Sequence, residues 1–209
     1  MQISVIVVEQ GSLEWHEARL GRATASRFKD IMTKIRSGEA AAVKNYRAEL
    51  VAEQLTGYRE ELFTTAAMQW GTDNEPVARL RYELETGNDV EECGFFAHPD
   101  IMAGASPDGL VNDDGLLEIK CPNSATHIET LRKRKVPSQY YWQVQGQMWM
   151  TGRQWCDFVS FDPRLPENAQ YIRIRMDRDD KAIAELEEEV KEFLQSVEIE
   201  AAFVRNFEL

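Results

Sequence analysis

Residues 106–120 read SPDGLVNDDGLLEIK, a segment in which two apolar runs flank a turn. Asn-Asp-Asp-Gly is a typical turn sequence, so the segment predicts a β-hairpin. In the second strand Glu118 and Lys120 lie two residues apart and therefore share one face of the sheet. The apolar side chains on either side of Glu118 take the other face. The hairpin therefore places a carboxylate and an ammonium side by side.

The length of the turn decides whether Asp108 joins this pair. A three-residue loop at 112–114 places Asp108 directly opposite Glu118, whereas an even-numbered loop places the two on opposite faces unless a bulge intervenes. Two carboxylates and an ammonium on one face can hold a divalent cation and activate a water molecule beside it. Carboxylate and carbonyl oxygens suit magnesium or manganese.

A solvated Glu-Lys pair beside an aspartate-rich turn is the alternative interpretation of the same residues. Taken alone, the Glu-x-Lys spacing favours that alternative. Two features favour a partly buried site instead. Pro107 and Gly109 fix and expose the backbone around Asp108, and the polar pair interrupts a strand whose other residues are apolar.

The composition is that of an ordinary globular protein. The chain has 209 residues, 43% hydrophobic and 29% charged, so we expect a single domain over residues 1–209 and exclude a disordered or fibrous protein. The apolar run at 3–8 is too short for a membrane span and lacks the flanks of a signal peptide, so it predicts a strand and no membrane association. Three scattered cysteines predict a reducing cytoplasm and argue against a disulfide framework or an iron–sulfur cluster.

The net charge of −12 ordinarily counts against nucleic-acid binding, but the charge is segregated along the chain. Residues 17–47 hold eight basic and three acidic side chains, whereas residues 177–200 hold three basic and ten acidic ones. A basic face can therefore exist on an acidic protein.

Hydrophobic spacing predicts an α/β fold in which a central mixed sheet is flanked by helices. Gly57 and Gly87 end two of the helices. Pro76 must either kink the helix at 66–86 or lie in its first turn. Helices are predicted at 12–20, 24–33, 40–56, 66–86, 124–132, 139–151 and 179–197, and strands at 93–97, 101–105, 109–111, 116–120, 155–161 and 170–176.

Several blocks of the sequence resemble a known nuclease family. Glu118-Ile119-Lys120, ten residues after Asp108, resembles the PD-(D/E)xK nuclease signature. Within that superfamily, five blocks in order resemble the phage lambda-type exonuclease, or YqaJ-like viral recombinase, family. They are Trp15-His16 with Arg19-Leu20-Gly21 and Thr24-Ala25-Ser26, Trp70-Gly71 with Glu75, Ser106-Pro107-Asp108-Gly109-Leu110, Glu118-Ile119-Lys120-Cys121-Pro122, and Gln143-Val144-Gln145 with Met148-Trp149.

The resemblance implies a centre with two Mg²⁺ ions, for which Mn²⁺ can substitute. Asp108 and Glu118 would bind metal together with the backbone carbonyl of Ile119. Lys120 would orient or deprotonate the attacking water.

Three more residues acquire roles from the resemblance. Glu75 would support the second ion or the nucleophile, although Thr72 and Glu75 also fit a capping box. Gln143 would project toward the site, and its alternative is a solvated helix face. Met68, about two helical turns before Glu75, would be an apolar wedge that separates the DNA strands, and its alternative is a core residue.

The resemblance also implies a site for the terminal or neighbouring phosphates of DNA, formed by Arg19, Ser26, Arg36 and Ser106. Ser26 falls near a predicted helix N-terminus, where backbone N–H groups attract phosphate. The alternative for Arg19 is a stabilising ion pair with a nearby acid such as Glu17.

By resemblance the protein would be a 5′→3′ exonuclease on double-stranded DNA ends, releasing mononucleotides and leaving 3′ overhangs for phage-type recombination in a bacterial host. It would form a homotrimeric ring and pass the overhang to a single-strand annealing protein. We expect segments 17–47 and 132–135 to line the inside of the ring and helix 179–197 to face outward.

Two alternatives remain for the function. A structure-specific or restriction-type endonuclease shares the same core, but no separate sequence-reading module is visible. A non-catalytic DNA-end-binding module has no use for the complete set of Asp108, Glu118 and Lys120.

Overall fold

The computed structural model describes residues 4–59 and 65–208. Ile3, in the predicted N-terminal strand, lies outside these residues. The helices are α1 (Leu13–Ala18), α2 (Phe28–Ile31), α3 (Ala41–Thr56), α4 (Ala66–Thr86), α5 (Ser124–Lys133), α6 (Tyr141–Thr151) and α7 (Asp180–Arg205). The strands are β1 (Ser4–Ile6), β2 (Ala23–Thr24), β3 (Val90–Glu91), β4 (Phe95–Ala97), β5 (Ala103–Ala105), β6 (Gly109–Val111), β7 (Gly115–Lys120), β8 (Trp155–Phe161) and β9 (Tyr171–Asp177).

The strands form two mixed sheets, and the predicted α/β fold is confirmed. One sheet has the order β1-β4-β5-β2 and the other the order β3-β6-β7-β8-β9. The pairs β2–β5 and β7–β8 are parallel, and the remaining pairs are antiparallel. The sequence predicted one sheet because two-residue strands such as β2 and β3 are too short to show a periodic pattern. Strand β7 is the middle strand of the five-stranded sheet.

The hairpin of β6 and β7 has the three-residue loop. Gly109 pairs with Leu117 and Val111 with Gly115, which leaves residues 112–114 as the loop. Asn112 adopts a left-handed conformation with φ of 50°, which asparagine tolerates better than most residues. This register continues to Asp108, which therefore lies opposite Glu118.

Two glycines in this hairpin are required by close packing. A Cβ atom on Gly109 would lie 2.2 Å from Cγ1 of Val90, and one on Gly115 would lie 2.1 Å from the ring of Trp155. The neighbouring strands β3 and β8 therefore approach the hairpin more closely than a side chain at either position would allow.

Two hydrophobic cores lie on opposite faces of β7. The larger core packs Leu116 against side chains of α2, α3, α6 and α7, and the smaller core packs Leu117 and Ile119 against Ala78 and Tyr82 of α4. Because side chains alternate along a strand, Glu118 points to the same side as Leu116. The carboxylate of Glu118 therefore faces α6.

The predicted helices are found, with some differences. The prediction of one helix at 24–33 was wrong, because Thr24 pairs in β2, residues 25–27 form a 3₁₀ turn and α2 covers only Phe28–Ile31. Helices α3 and α4 end at Gly57 and Gly87, both left-handed as predicted. Pro76 lies in the interior of α4, which excludes the alternative that it occupies the first turn. Helix α7 continues beyond the predicted end at residue 197 to Arg205, because its inward face still buries Ala201.

The basic segment 17–47 packs against the acidic helix α7 instead of standing apart from it. Lys34 forms ion pairs with Glu185 and Glu189, and Arg47 bonds Glu200. Part of the charge segregated in the sequence is therefore neutralised within the fold. The expectation that segment 17–47 as a whole faces DNA while α7 faces away does not hold for Lys34 and Arg47.

None of the helices within residues 4–59 and 65–208 is both long and apolar enough to cross a membrane.

The contact between α6 and α2 can be tested at Gly146. A Cβ atom there would lie 2.4 Å from Cδ2 of Phe28, whereas one on Gly71 of α4 would meet nothing within 4 Å. We expect Gly146→Ala to lower the free energy of unfolding by about 1–3 kcal/mol through overpacking. Gly71→Ala, the matched control, should raise it by up to about 1 kcal/mol because alanine favours helix. Urea unfolding measures both, and unchanged stability of Gly146→Ala would contradict the described packing.

Candidate active site

Glu118 is fully buried, with none of its surface exposed, and three side chains compensate its charge. Nε2 of Gln143 donates to Oε1 at 2.5 Å, and Nε2 of Gln147 donates to Oε2 at 2.6 Å. Lys120 forms an ion pair with the same carboxylate. Gln143 and Gln147 lie one turn apart on α6 and reach the strand together. The carboxylate is therefore held in one orientation by α6 and by its own strand.

Asp108 is fixed by the hairpin itself. Its backbone N–H donates to the carbonyl of Leu117 at 3.1 Å, and its Oδ2 accepts a hydrogen bond from the backbone N–H of Ile119 at 2.6 Å. Burial raises the pKa of Asp108 well above its ordinary value, and the nearby Glu118 carboxylate raises it further. The two carboxylates are thus brought together at an electrostatic cost that a bound cation would relieve.

Lys120 carries a stable positive charge. Burial alone would lower the pKa of Lys120, but the carboxylates of Glu118 and Asp108 outweigh burial and raise it above the ordinary value. The ring of Tyr140 lies 5.5 Å from Nζ and also favours the ammonium. In this arrangement the ammonium form of Lys120 can donate hydrogen bonds to neighbouring groups.

Glu75 extends the site from α4. Burial raises the pKa of Glu75, and Arg79 opposes that rise by donating to its Oε1 at 2.9 Å. Arg79 also donates to the carbonyl of Asp108 at 3.3 Å and so joins α4 to the hairpin. Thr72 lies within α4 and donates to the carbonyl of Met68, so the capping-box interpretation of Thr72 and Glu75 was wrong.

A cleft of about 380 Å³ opens over these residues. Its walls include Met68, Glu75, Lys120, Cys121 and Tyr140. Met68 is 52% exposed, which excludes the alternative that it is a core residue. The cleft therefore opens Glu75 and Lys120 to solvent.

The oxygen donors of this site fit a hard divalent cation. Within residues 4–59 and 65–208 no group of three or more His, Cys, Asp or Glu side chains is placed to hold a metal. The predicted set is different, because it combines the carboxylates of Asp108 and Glu118 with the backbone carbonyl of Ile119. With Glu75 the group of charged side chains has three carboxylates against two cations, Lys120 and Arg79. That balance and the raised pKa of Asp108 suit a positive ion with oxygen ligands.

A second group of side chains surrounds Arg19. Nε1 of Trp15 donates to Oγ of Ser106 at 2.8 Å, and the guanidinium of Arg19 stacks on the Trp15 ring at 3.9 Å from the centroid. Nε of Arg19 is buried and has no hydrogen-bond partner among the described residues. Burial and the positive charge of Arg59 lower the pKa of Arg19 to about 10. No ion pair with Glu17 forms in the described part of the chain, so the stabilising alternative for Arg19 is not supported.

Sequence reasoning missed Glu53 and Arg59 beside this group. Glu53 is buried, accepts from Arg59 and from the backbone N–H of Gly21, and lies on the inward face of α3 with Tyr46 and Leu50. A carboxylate at this helical spacing from two core residues was the signal available. Gln147 and Arg79 were also missed as site residues, although they follow Gln143 and Glu75 by one helical turn.

The remaining predicted phosphate contacts are not joined to Arg19. Oγ of Ser26 lies 3.3 Å from Oγ1 of Thr24, in a three-residue 3₁₀ turn that gives only a short helix N-terminus. Arg36 is exposed between α2 and α3. No contact among the described residues links either side chain to the group formed by Trp15, Arg19 and Ser106. In the basic run after α5, Lys133 pairs with Glu129.

Comparisons with known proteins find related folds and a related family. The structure is similar to that of an alkaline exonuclease, LHK-Exo, from Laribacter hongkongensis, with 53% sequence identity and a TM-score of 0.87 over 93% of this chain and 96% of that chain. A structure of LHK-Exo in complex with dAMP gives the same identity and coverage and a TM-score of 0.88. A phage-related exonuclease from Haemophilus somnus shares the fold at 14% identity, with a TM-score of 0.74 over 88% of this chain and 96% of that chain. No match is found among curated proteins.

The family model described as YqaJ-like viral recombinase domain matches residues 14–154. This range contains the hairpin, the two glutamines of α6 and the group around Arg19. The chain belongs to the YqaJ-like viral recombinase family.

Proposed function

We propose that this protein is a DNA exonuclease that hydrolyses phosphodiester bonds at the ends of double-stranded DNA. The observation that carries the proposal is the grouping of Asp108, the buried Glu118 and Lys120 on one hairpin, with Lys120 lining an open cleft. The relative at 53% identity is an alkaline exonuclease, and it has been crystallised with dAMP, a mononucleotide of the kind such an enzyme releases from DNA. We propose that residues 1–209 form one nuclease domain.

Asp108, Glu118 and the carbonyl of Ile119 would hold the metal, which we propose to be Mg²⁺, replaceable by Mn²⁺, with two ions per site. When bound, the metal stabilises negative charge that develops on the phosphate oxygens. Gln143 and Gln147 keep the Glu118 carboxylate oriented. Lys120 is placed to donate a hydrogen bond to the attacking water or to a phosphate oxygen. Helix α6 thus orients the carboxylate that would bind the metal, and Lys120 lies beside that carboxylate.

The polarity follows from where the DNA end binds. We propose that Arg19, stacked on Trp15 beside Ser106, receives the terminal 5′ phosphate, so that digestion runs 5′→3′ and leaves a 3′ overhang. The support is an almost buried guanidinium whose Nε has no partner among the described residues. A buried donor without a hydrogen-bond partner destabilises the fold unless a bound anion accepts its hydrogen bond. Ser26 and Arg36 would contact neighbouring phosphates after the DNA is bound.

We also propose that the protein acts as a homotrimeric ring and delivers the overhang to a single-strand annealing protein. Membership of a viral recombinase family supports this role. The three cysteines, all unpaired thiols, support a place in the reducing cytoplasm of a bacterial host.

The enzyme and its alternatives differ in their DNA products. We expect linear duplex to be degraded with Mg²⁺ and spared with EDTA, and closed-circular duplex to be spared in both. Asp108→Asn, Glu118→Gln and Lys120→Met should each lose at least about 100-fold in rate, because each removes charge that acts on the transition state. Asp113→Asn changes an exposed aspartate of the same hairpin and should leave the rate unchanged.

Cleavage of closed circles would favour an endonuclease, and binding of ends without hydrolysis would favour the non-catalytic module. Wild-type rates for Asp108→Asn at saturating Mg²⁺ would contradict the proposed metal site.

Substitution of Met68 tests its proposed role in separating the DNA strands. Its side chain stands exposed at the cleft, and an apolar side chain between bases can offset the cost of unpairing the terminal pair. We expect Met68→Ala to slow digestion of blunt duplex and to spare a substrate with a frayed 5′ end. Leu84→Ala removes another exposed apolar side chain of α4 and serves as the control. Equal slowing on both substrates would show that Met68 has no part in separation.

Substitution of Arg19 tests its proposed role in recognising a 5′-phosphorylated end. We expect Arg19→Ala to reduce the rate on 5′-phosphorylated ends by about 10- to 100-fold and the rate on 5′-hydroxyl ends much less, since charge-assisted hydrogen bonds are worth roughly 1.5–3 kcal/mol. Arg81→Ala, in a surface pair with Glu85, is the control for lost charge. An unchanged phosphate preference in a folded Arg19→Ala protein would remove Arg19 from the pocket.

A further inference from the structure

Glu53 is the one carboxylate that reaches the turn after α1 among the contacts of the described residues. It is 7% exposed and accepts three hydrogen bonds, from Nε of Arg59 at 2.6 Å, from Nη2 of Arg59 at 2.9 Å and from the backbone N–H of Gly21 at 2.8 Å. The two bonds from Arg59 have the forked geometry that matches a guanidinium to a carboxylate. Glu53 therefore fixes the orientation of the Arg59 plane and of the turn at Gly21.

Arg59 also touches the residue proposed to bind the terminal phosphate. Its Nη2 donates to the backbone carbonyl of Arg19 at 3.2 Å. Glu53 of α3 and Arg59, three residues after the end of α3, thus bind the backbone at Gly21 and at Arg19. The side chain of Arg59 remains 30% exposed. Within residues 4–59 and 65–208 the hydrogen bonds of Arg59 come from Nε and Nη2, and none comes from Nη1.

The charges around this turn do not balance. Arg19 and Arg59 face a single carboxylate, Glu53, and the positive charge of each arginine contributes, after burial, to lowering the pKa of the nearby His16. An excess of buried positive charge in a protein of net charge −12 is unfavourable unless an anion shares the site. A phosphomonoester carries about −1.5 to −2 charges at pH 7, whereas an internal diester carries one. The pair of guanidiniums therefore favours the terminal phosphate over an internal phosphate.

We propose that Arg59, held in place by Glu53, is a second guanidinium of the terminal-phosphate pocket and sets its preference for a 5′-phosphorylated end. This inference rests on the proposed function, and it adds a specificity-determining residue and its positioning partner to that site. Arg19 lies against Trp15 on one side of the pocket and Arg59 against Glu53 on the other.

The test measures binding without hydrolysis. Fluorescence anisotropy in EDTA compares two duplexes that differ only in a 5′-phosphate or a 5′-hydroxyl, for the wild type, Arg59→Gln, Arg59→Lys and Glu53→Gln. We expect the wild type to prefer the phosphorylated duplex and Arg59→Gln to reduce that preference by about ten-fold. The preference of Arg59→Lys should lie between those of the wild type and Arg59→Gln, because an ammonium cannot form both the two hydrogen bonds to Glu53 and a contact to phosphate. Glu53→Gln should reduce the preference as well, because the Arg59 plane is no longer fixed. Arg81→Gln, which removes an exposed surface arginine, should retain the full preference.

A purely structural role for Arg59 predicts a different result. In that case Arg59→Gln would melt earlier and weaken both duplexes equally, and the unchanged ratio would overturn the proposal. If Arg59→Gln does not fold, Arg59→Lys provides the test. A ratio of affinities for the two duplexes equal to that of the wild type would then overturn the proposal. A wild-type protein that degrades linear duplex with Mg²⁺ but shows no phosphate preference would also overturn it, while leaving the exonuclease proposal intact. Failure of the exonuclease proposal is seen separately, as no hydrolysis of linear duplex with Mg²⁺.

Discussion

The buried carboxylate of Glu118 imposes a requirement on every element around it. A charge with no exposed surface must be matched by hydrogen bonds and by opposite charge, or it destabilises the fold. Two glutamines one turn apart on α6 and the ammonium of Lys120 meet that requirement. For both glutamines to reach Glu118, α6 must pack directly on β7. The glycine at 146 allows α2 to close over the other side of α6, because the ring of Phe28 occupies the space of its missing side chain.

The hairpin places a second carboxylate, that of Asp108, beside the buried carboxylate of Glu118, whose burial already destabilises the fold. The three-residue loop sets Asp108 opposite Glu118, and the backbone N–H of Ile119 holds it there. Burial and the proximity of Glu118 raise the pKa of Asp108, and the same two carboxylates keep Lys120 protonated. Two carboxylates that repel each other lie beside an ammonium that they stabilise. Such an arrangement is suited to bind a metal and a phosphate, since both ligands change the local charge. The group around Arg19 shows the opposite balance, with an excess of positive charge suited to a terminal phosphate.

Local sequence patterns predicted much of the fold and the grouping of charged residues at the candidate site. The alternation of β7 identified Glu118 and Lys120, and the turn composition left the loop length as the one open question for Asp108. Long-range contacts were not predictable in the same way. Glu53 of α3 and Arg59, which follows α3, contact the turn after α1, and no local sequence pattern indicates that pairing. The segregation of charge along the chain was misleading for Lys34, because sequence distance does not reveal that it packs beside the acids of α7.

The central claim is that Asp108 and Glu118 converge on one divalent cation. Isothermal titration of Mg²⁺ into the DNA-free protein measures this directly, with Asp113→Asn of the same hairpin as the control. The account predicts that the wild type and Asp113→Asn bind Mg²⁺ and that Asp108→Asn and Glu118→Gln, each still folded, both lose that binding. Equal Mg²⁺ binding by the wild type and either site variant would contradict the claim that the hairpin and the central strand together form the metal site.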